Sequence, residues 1–167
     1  RHDSNPQFPN LKYELYVMDI DSGNLQRLTT TEAAEDHPAW SPDGSRIIFD
    51  ADYDADGYYE IYTIHPDGSN LTRLTSTAAN DQFADWSPDG TQIAFSSDRN
   101  GNWDIFVMNA DGSDQRPLTD SADWELFPAW SPDGTRIAFN ALVPRSRNTD
   151  IFVMNADGSD ARQLTDT

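Results

Sequence analysis

The sequence predicts an all-β chain built of β-propeller blades, each a sheet of four antiparallel strands, and three observations predict it. The string Trp-Ser-Pro-Asp-Gly occurs three times, starting at Trp40, Trp86 and Trp130, spaced 46 and 44 residues apart. Asp-Gly-Ser recurs in step with it from Asp67, Asp111 and Asp157, with Asp21-Ser22-Gly23 as a degenerate first copy. Leu-Thr recurs at Leu28, Leu74, Leu118 and Leu164. Independent markers that hold one period of about 45 residues are the signature of a repeat architecture, in which each unit buries its apolar faces against copies of itself.

Each period reads as four short strands. In the last copy the first strand carries the tryptophan, Phe127 to Trp130, and Ser-Pro-Asp-Gly then turns the chain, because Pro pre-sets φ while Asp and Gly tolerate turn geometry. The second strand runs from Arg136 to Phe139. The third, Asp150 to Asn155, is nearly continuous apolar through Ile151, Phe152, Val153 and Met154. An Asp-Gly pair follows, the strongest short-range hairpin signal, and leads to a short polar fourth strand, Arg162 to Thr165, suited to an exposed edge. A third strand apolar on both faces needs cover on both, and sheets repeated around an axis supply it.

Composition alone points elsewhere. Of 167 residues only 31 are Leu, Ile, Val or Phe, and the formal net charge is −18, a profile typical of disorder. The repeats resolve the conflict, since much of the Asp falls in turns (Asp43, Asp67, Asp89, Asp111, Asp133 and Asp157). Such an acidic chain is unsuited to nucleic acid or an anionic membrane surface, both of which need basic patches. No Cys is present, which excludes disulfides and thiolate chemistry. No apolar run approaches the roughly 18 residues of a membrane span, so direct membrane insertion is not expected. Lys12 is the single lysine.

The segments Asp104-Ile105-Phe106-Val107-Met108-Asn109-Ala110-Asp111-Gly112-Ser113 and Phe127-Pro128-Ala129-Trp130-Ser131-Pro132-Asp133-Gly134-Thr135-Arg136-Ile137-Ala138-Phe139 resemble the repeat of TolB-like, WD-like β-propellers. The resemblance runs from about Tyr13 to Thr165. It implies a periplasmic or extracellular protein and a non-catalytic platform for a protein partner or another macromolecule; exposed loop aromatics would also suit a glycan. Blades of this kind also gate the peptidase or hydrolase domain of some enzymes, which is the alternative expectation, and an extracellular assembly subunit is a third.

The expected organisation is one propeller segment over residues 1–167: a half blade at 13–29 and full blades at about 36–75, 82–119 and 126–165. Closed propellers have about four to eight blades. The half blade lacks its two inner strands, and two copies of the chain lack the same pair, so the sequence reads as a piece of a longer propeller; about six blades would need roughly 270 residues. Self-association through open blade edges is the other way to satisfy them.

Several candidate sites follow. Between the second and third strands of the first full blade, Asp50, Asp52, Asp54 and Asp56, with Gly57 and Glu60, place carboxylates at alternate positions, as in the opening of a calcium loop. Residue 63, where an EF-hand would place Glu, is Thr63, and the corresponding loops 96–103 and 140–149 lack the ladder. The expected cofactor is therefore none or Ca²⁺ on Asp50, Asp52, Asp54, Asp56 and Glu60. An acid precedes each tryptophan strand, in Asp36-His37-Pro38, Asp81-Gln82-Phe83 and Glu125-Leu126-Phe127, and its repetition suits backbone bonding as well as ligand contact. With these, the aromatics Trp103 and Trp124, which break the repeat, make Asp36, His37, Asp81, Trp103, Trp124 and Glu125 the candidate partner-binding set. The repeating Trp40, Trp86 and Trp130, and Phe49, Phe95 and Phe139, read as packing between blades. Catalysis has little support: the histidines are His2, His37 and His65, and no Gly-x-Ser-x-Gly elbow, phosphate loop or zinc spacing occurs.

Overall fold

The computed structural model describes residues 13–143 and 148–166, so His2 and Lys12 lie outside the described residues. Among the described residues fourteen strands form one two-stranded and three four-stranded antiparallel sheets. β1 (Tyr16–Met18) pairs with β2 (Leu25–Arg27). The first full sheet holds β3 (Glu35–Trp40), β4 (Ile47–Ala51), β5 (Glu60–Ile64) and β6 (Thr72–Arg73) in chain order. The second holds β7 (Asp81–Trp86), β8 (Gln92–Ser97), β9 (Asp104–Asn109) and β10 (Arg116–Pro117). The third holds β11 (Trp124–Trp130), β12 (Arg136–Val143), β13 (Asn148–Asn155) and β14 (Arg162–Gln163). No helix occurs among the described residues. The sheets stack in chain order with the first strands β3, β7 and β11 next to one another, so the structure is a partial propeller that does not close.

Each marker has a physical task. In Ser-Pro-Asp-Gly the Ser41 hydroxyl and the Ser45 amide both donate to Asp43 Oδ1, at 2.7 and 3.0 Å, and the Arg46 amide donates to Ser41 Oγ at 2.9 Å. The copies at Asp89 and Asp133 repeat the pattern. These donors hold the Asp43 and Asp133 carboxyls down at about 2. In Leu-Thr the threonine hydroxyl accepts a backbone N–H from in or just before the third strand: Thr29 from Leu15, Thr75 from Ile61, Thr119 from Ile105 and Thr165 from Ile151, each at 2.9 Å. In the degenerate first hairpin it is Asp19 rather than Asp21 that caps the turn, accepting the Ser22 amide at 2.7 Å.

The core lies between sheets. Ile48 and Ile61 of one blade pack with Trp86, Ile93 and Phe95 of the next, and Ala94 and Ile105 pack with Ile137 and Phe139 of the third. Phe49, Phe95 and Phe139 are buried, each contributing about 1.5–3 kcal/mol by removal from water. The expectation for the tryptophans holds unevenly. Trp86 packs beneath Arg46 of the preceding blade, 4.6 Å from guanidinium to ring centroid. Trp40 is 52% exposed, because the sheet before it has only β1 and β2 and offers no inner strands to cover the ring.

Candidate functional site

Antiparallel connection puts the start of each first strand and the loop between second and third strands at one end of the stack. The Ser-Pro-Asp-Gly and Asp-Gly-Ser turns lie at the other. At the first end, β3, β7 and β11 each carry a bulge, between Asp36 and Ala39, Gln82 and Asp85, and Leu126 and Ala129. The bulge holds a non-glycine residue at positive φ three positions before each tryptophan: His37 at 53°, Phe83 at 59° and Phe127 at 58°. Such backbone is costly for bulky side chains, of order 1–3 kcal/mol, and its repetition shows that the bulge is built into every blade.

The bulges line these rings up from blade to blade. His37 meets Phe83 edge-on at 4.5 Å between centroids, and Phe83 meets Phe127 at 4.2 Å. Trp103, half-buried, lies 6.1 Å from Phe83. Phe127 is 48% exposed and Trp124 43%. Asp50 is buried beneath this row. It pairs with His37 Nδ1 at 3.0 Å and accepts the Gln82 amide group and the Phe83 backbone N–H of the next blade, each at 3.2 Å. The Asp50 bond raises the His37 pKa above its ordinary value, and burial with the Asp50 charge pushes Asp36 up. Sequence reasoning singles out His37 but not Phe83 or Phe127; the signal that would have found them is the aromatic ring at the third position before every repeat tryptophan.

The repeated acids have a structural register. Glu35, Asp81 and Glu125 each stand five residues before a repeat tryptophan, so the first-blade member is Glu35, while Asp36 aligns with Gln82 and Leu126. Each accepts a hydroxyl from four residues upstream: Thr31 to Glu35, Thr77 to Asp81 at 3.2 Å and Ser121 to Glu125 at 2.9 Å. Arg99 Nη2 adds 2.8 Å contacts to both oxygens of Asp81. All three acids are buried, so Asp81 and Glu125 anchor the surface from below.

In the acidic loop the carboxylates of Asp52, Asp54 and Asp56 gather, with one oxygen of each within 4.8 Å of the others. Asp52 accepts the Asp56 and Gly57 amides at 3.2 and 3.1 Å, Asp56 accepts the Tyr58 amide at 2.9 Å, and Asp54 pairs with Arg73 at 2.9 Å. Each acid keeps oxygen lone pairs for a cation. Asp50 and Glu60 are not part of this group: Asp50 faces His37, and Glu60 is buried against Arg73. Burial and the nearby Asp54 and Asp56 charges raise Glu60 to about 7 against the opposing pull of Arg73.

The family model for the TolB beta propeller domain matches residues 8–167. The chain belongs to the TolB beta-propeller family. Among solved structures, a putative TolB from Agrobacterium tumefaciens matches with a TM-score of 0.82 and 28% identity, over 92% of this chain and 57% of that one. TolB from Acinetobacter baumannii matches at 0.77 and 25%, over 92% of this chain and 38% of that one. This TolB-family chain therefore spans between about two-fifths and three-fifths of their lengths. A nidogen/laminin complex structure shares the fold at 0.75 and 13% identity, over 92% of this chain and 59% of that one. No curated protein matches the chain.

Proposed function

We propose that this TolB-family chain is a segment of a longer exported propeller that acts as a non-catalytic platform and binds a protein partner at the His37–Phe83–Phe127 end. The observation that carries the reading is the aromatic row itself, displayed by one strained bulge on three consecutive blades and flanked by exposed Trp124. Aromatic rings on a rigid backbone give large contact area at little entropic cost, the pattern of interface hot spots. The likeness to TolB structures supports a periplasmic or extracellular location. We also take Asp52, Asp54 and Asp56 as a site for a hard cation such as Ca²⁺, since oxygen-only ligands suit that ion.

The test is affinity capture from an extract of the source with the chain and with a His37→Ala/Phe83→Ala/Phe127→Ala variant, matched by circular dichroism and melting. A protein retained by the chain and lost by the folded variant is the expected result. Retention by both, or elution with free sugar, contradicts protein binding at this row. Calcium titration of the chain against Asp54→Asn tests the loop: equal responses end the assignment.

A further inference from the structure

Each of the three junctions between consecutive sheets holds two acids, one at or just before the third strand of the earlier sheet and one at the start of the first strand of the later sheet, whose amide donates to the carbonyl of the residue before the earlier acid. At the first junction they are Glu14 and Glu35, joined through the Thr29 hydroxyl at 3.2 and 2.9 Å. At the second they are Glu60 and Asp81, and at the third Asp104 and Glu125. Two carboxylates brought together out of water repel and are poorly solvated, so each junction needs positive charge or a proton.

The first two junctions use arginine. Arg27 pairs with Glu14, Arg73 with Glu60, and Arg99 with Asp81 at 2.8 Å. Arg27 sits opposite Tyr16 on β1 and Arg73 opposite Tyr62 on β5. The same place on β9, opposite Phe106, is taken by Pro117, which brings no charge.

The third junction is thereby left short. Asp104 and Glu125 are 0% and 6% exposed, and neither has a cationic side-chain partner among the described residues. Asp104 Oδ1 and Glu125 Oε2 are buried with no hydrogen-bond partner. The Ser121 hydroxyl donates to Glu125 Oε1 at 2.9 Å, and Asn100 Nδ2 reaches Asp104 Oδ2 only at 3.5 Å. The Glu125 amide also donates to the Trp103 carbonyl at 2.8 Å, which ties the later blade to the residue before Asp104. Asp120 and Asp123 add negative charge nearby.

We propose that the junction between the second and third full blades binds a hard divalent cation of the calcium class, held by the carboxylates of Asp104 and Glu125 where the two earlier junctions use arginine. Carboxylates with hydroxyl and carbonyl oxygens around them, and no nitrogen or sulfur ligand, suit such an ion. Bound there, it bridges two blades and links their packing to cation concentration. This site is separate from the Asp52–Asp56 loop and adjoins Trp103 and Trp124 at the aromatic end.

The experiment is thermal unfolding of the chain with and without calcium, beside terbium luminescence excited through tryptophan, since Trp103 and Trp124 adjoin the site. A hundred-fold excess of calcium over its dissociation constant raises the midpoint by about 5–10 °C. Asp52→Asn/Asp54→Asn/Asp56→Asn removes the loop site but still shows a rise and tryptophan-excited luminescence, and the variants that follow are made in that background. Pro117→Arg restores the arginine of the earlier junctions, raises the midpoint without calcium and abolishes the response. Glu125→Gln, if it folds, loses the response as well. A chain indifferent to calcium but stabilised by acid, a response lost in the loop variant, or one retained in Pro117→Arg overturns the proposal.

Discussion

Replacing Gly112 by alanine probes how tightly one blade rests on the next. Gly112 sits in an Asp-Gly-Ser turn at φ +87°, and a Cβ there would lie 2.8 Å from the Leu74 carbonyl oxygen, 3.2 Å from its Cα and 3.4 Å from its carbonyl carbon. All three are backbone atoms of the preceding blade and cannot rotate away. Gly68 occupies the same turn one blade earlier at φ +86°, where the nearest atom, the Leu28 oxygen, is 3.5 Å off, an ordinary contact. Both substitutions carry the positive-φ cost of about 1–2 kcal/mol. Only Gly112→Ala adds overpacking, about 1–3 kcal/mol. Denaturant unfolding followed by tryptophan fluorescence is therefore expected to place Gly112→Ala below Gly68→Ala by about 1–3 kcal/mol, or roughly 2–12 °C in midpoint. Gly158→Ala, 2.8 Å from the Leu118 oxygen at φ +90°, repeats the larger loss. Equal losses at residues 68 and 112 would refute the close inter-blade approach.

Other outcomes follow from the same structure. Thr75→Val leaves the Ile61 amide without its 2.9 Å acceptor in a buried site and costs about 1–3 kcal/mol, whereas Thr75→Ser keeps the bond; chemical denaturation of the pair measures the difference. Glu60 has its pKa raised from 4.5 to about 7, so the folded state holds the proton more tightly than the unfolded chain, and its contribution to stability falls as pH rises from about 4.5 to 7, by up to about 3 kcal/mol. Melting across that range shows the decline, and Glu60→Gln flattens it. The turn aspartates Asp43 and Asp133, held at about 2, act with the opposite sign: their stabilisation is complete above their ordinary value of 3.8 and is lost as pH falls towards 2. Asp43→Asn/Asp133→Asn is expected to blunt acid unfolding in that lower window alone.

The sheets were legible in the sequence because turn chemistry is local. Ser-Pro-Asp-Gly and Asp-Gly-Ser state their geometry within four residues, and the apolar third strands require a neighbour on each face. Features that depend on the adjoining blade were not legible. Trp40 and Trp86 share a motif, yet one is exposed and the other buried, since what covers a tryptophan is the sheet before it. The acid in register with Asp81 proved to be Glu35, five residues before its tryptophan as Asp81 and Glu125 are before theirs; the adjacent Asp36 masks it in the sequence. Asp50 and Glu60 belong by spacing to the acidic loop, but strand alternation and a neighbouring His37 or Arg73 draw them away. The aromatic row was half visible: the rings recur in the sequence, but only the positive φ at His37, Phe83 and Phe127 brings them into contact.

The central claim is that the bulge end of this TolB-family segment is the surface that meets a protein partner. Site-specific photo-crosslinking tests it most directly, with a benzophenone amino acid placed at Phe127 and, in a second protein, at Ser69 in a turn at the opposite end of the stack. The account predicts a discrete crosslinked protein from position 127 in an extract of the source and none from position 69. Adducts from position 69 alone, or the same adducts from both, would contradict it.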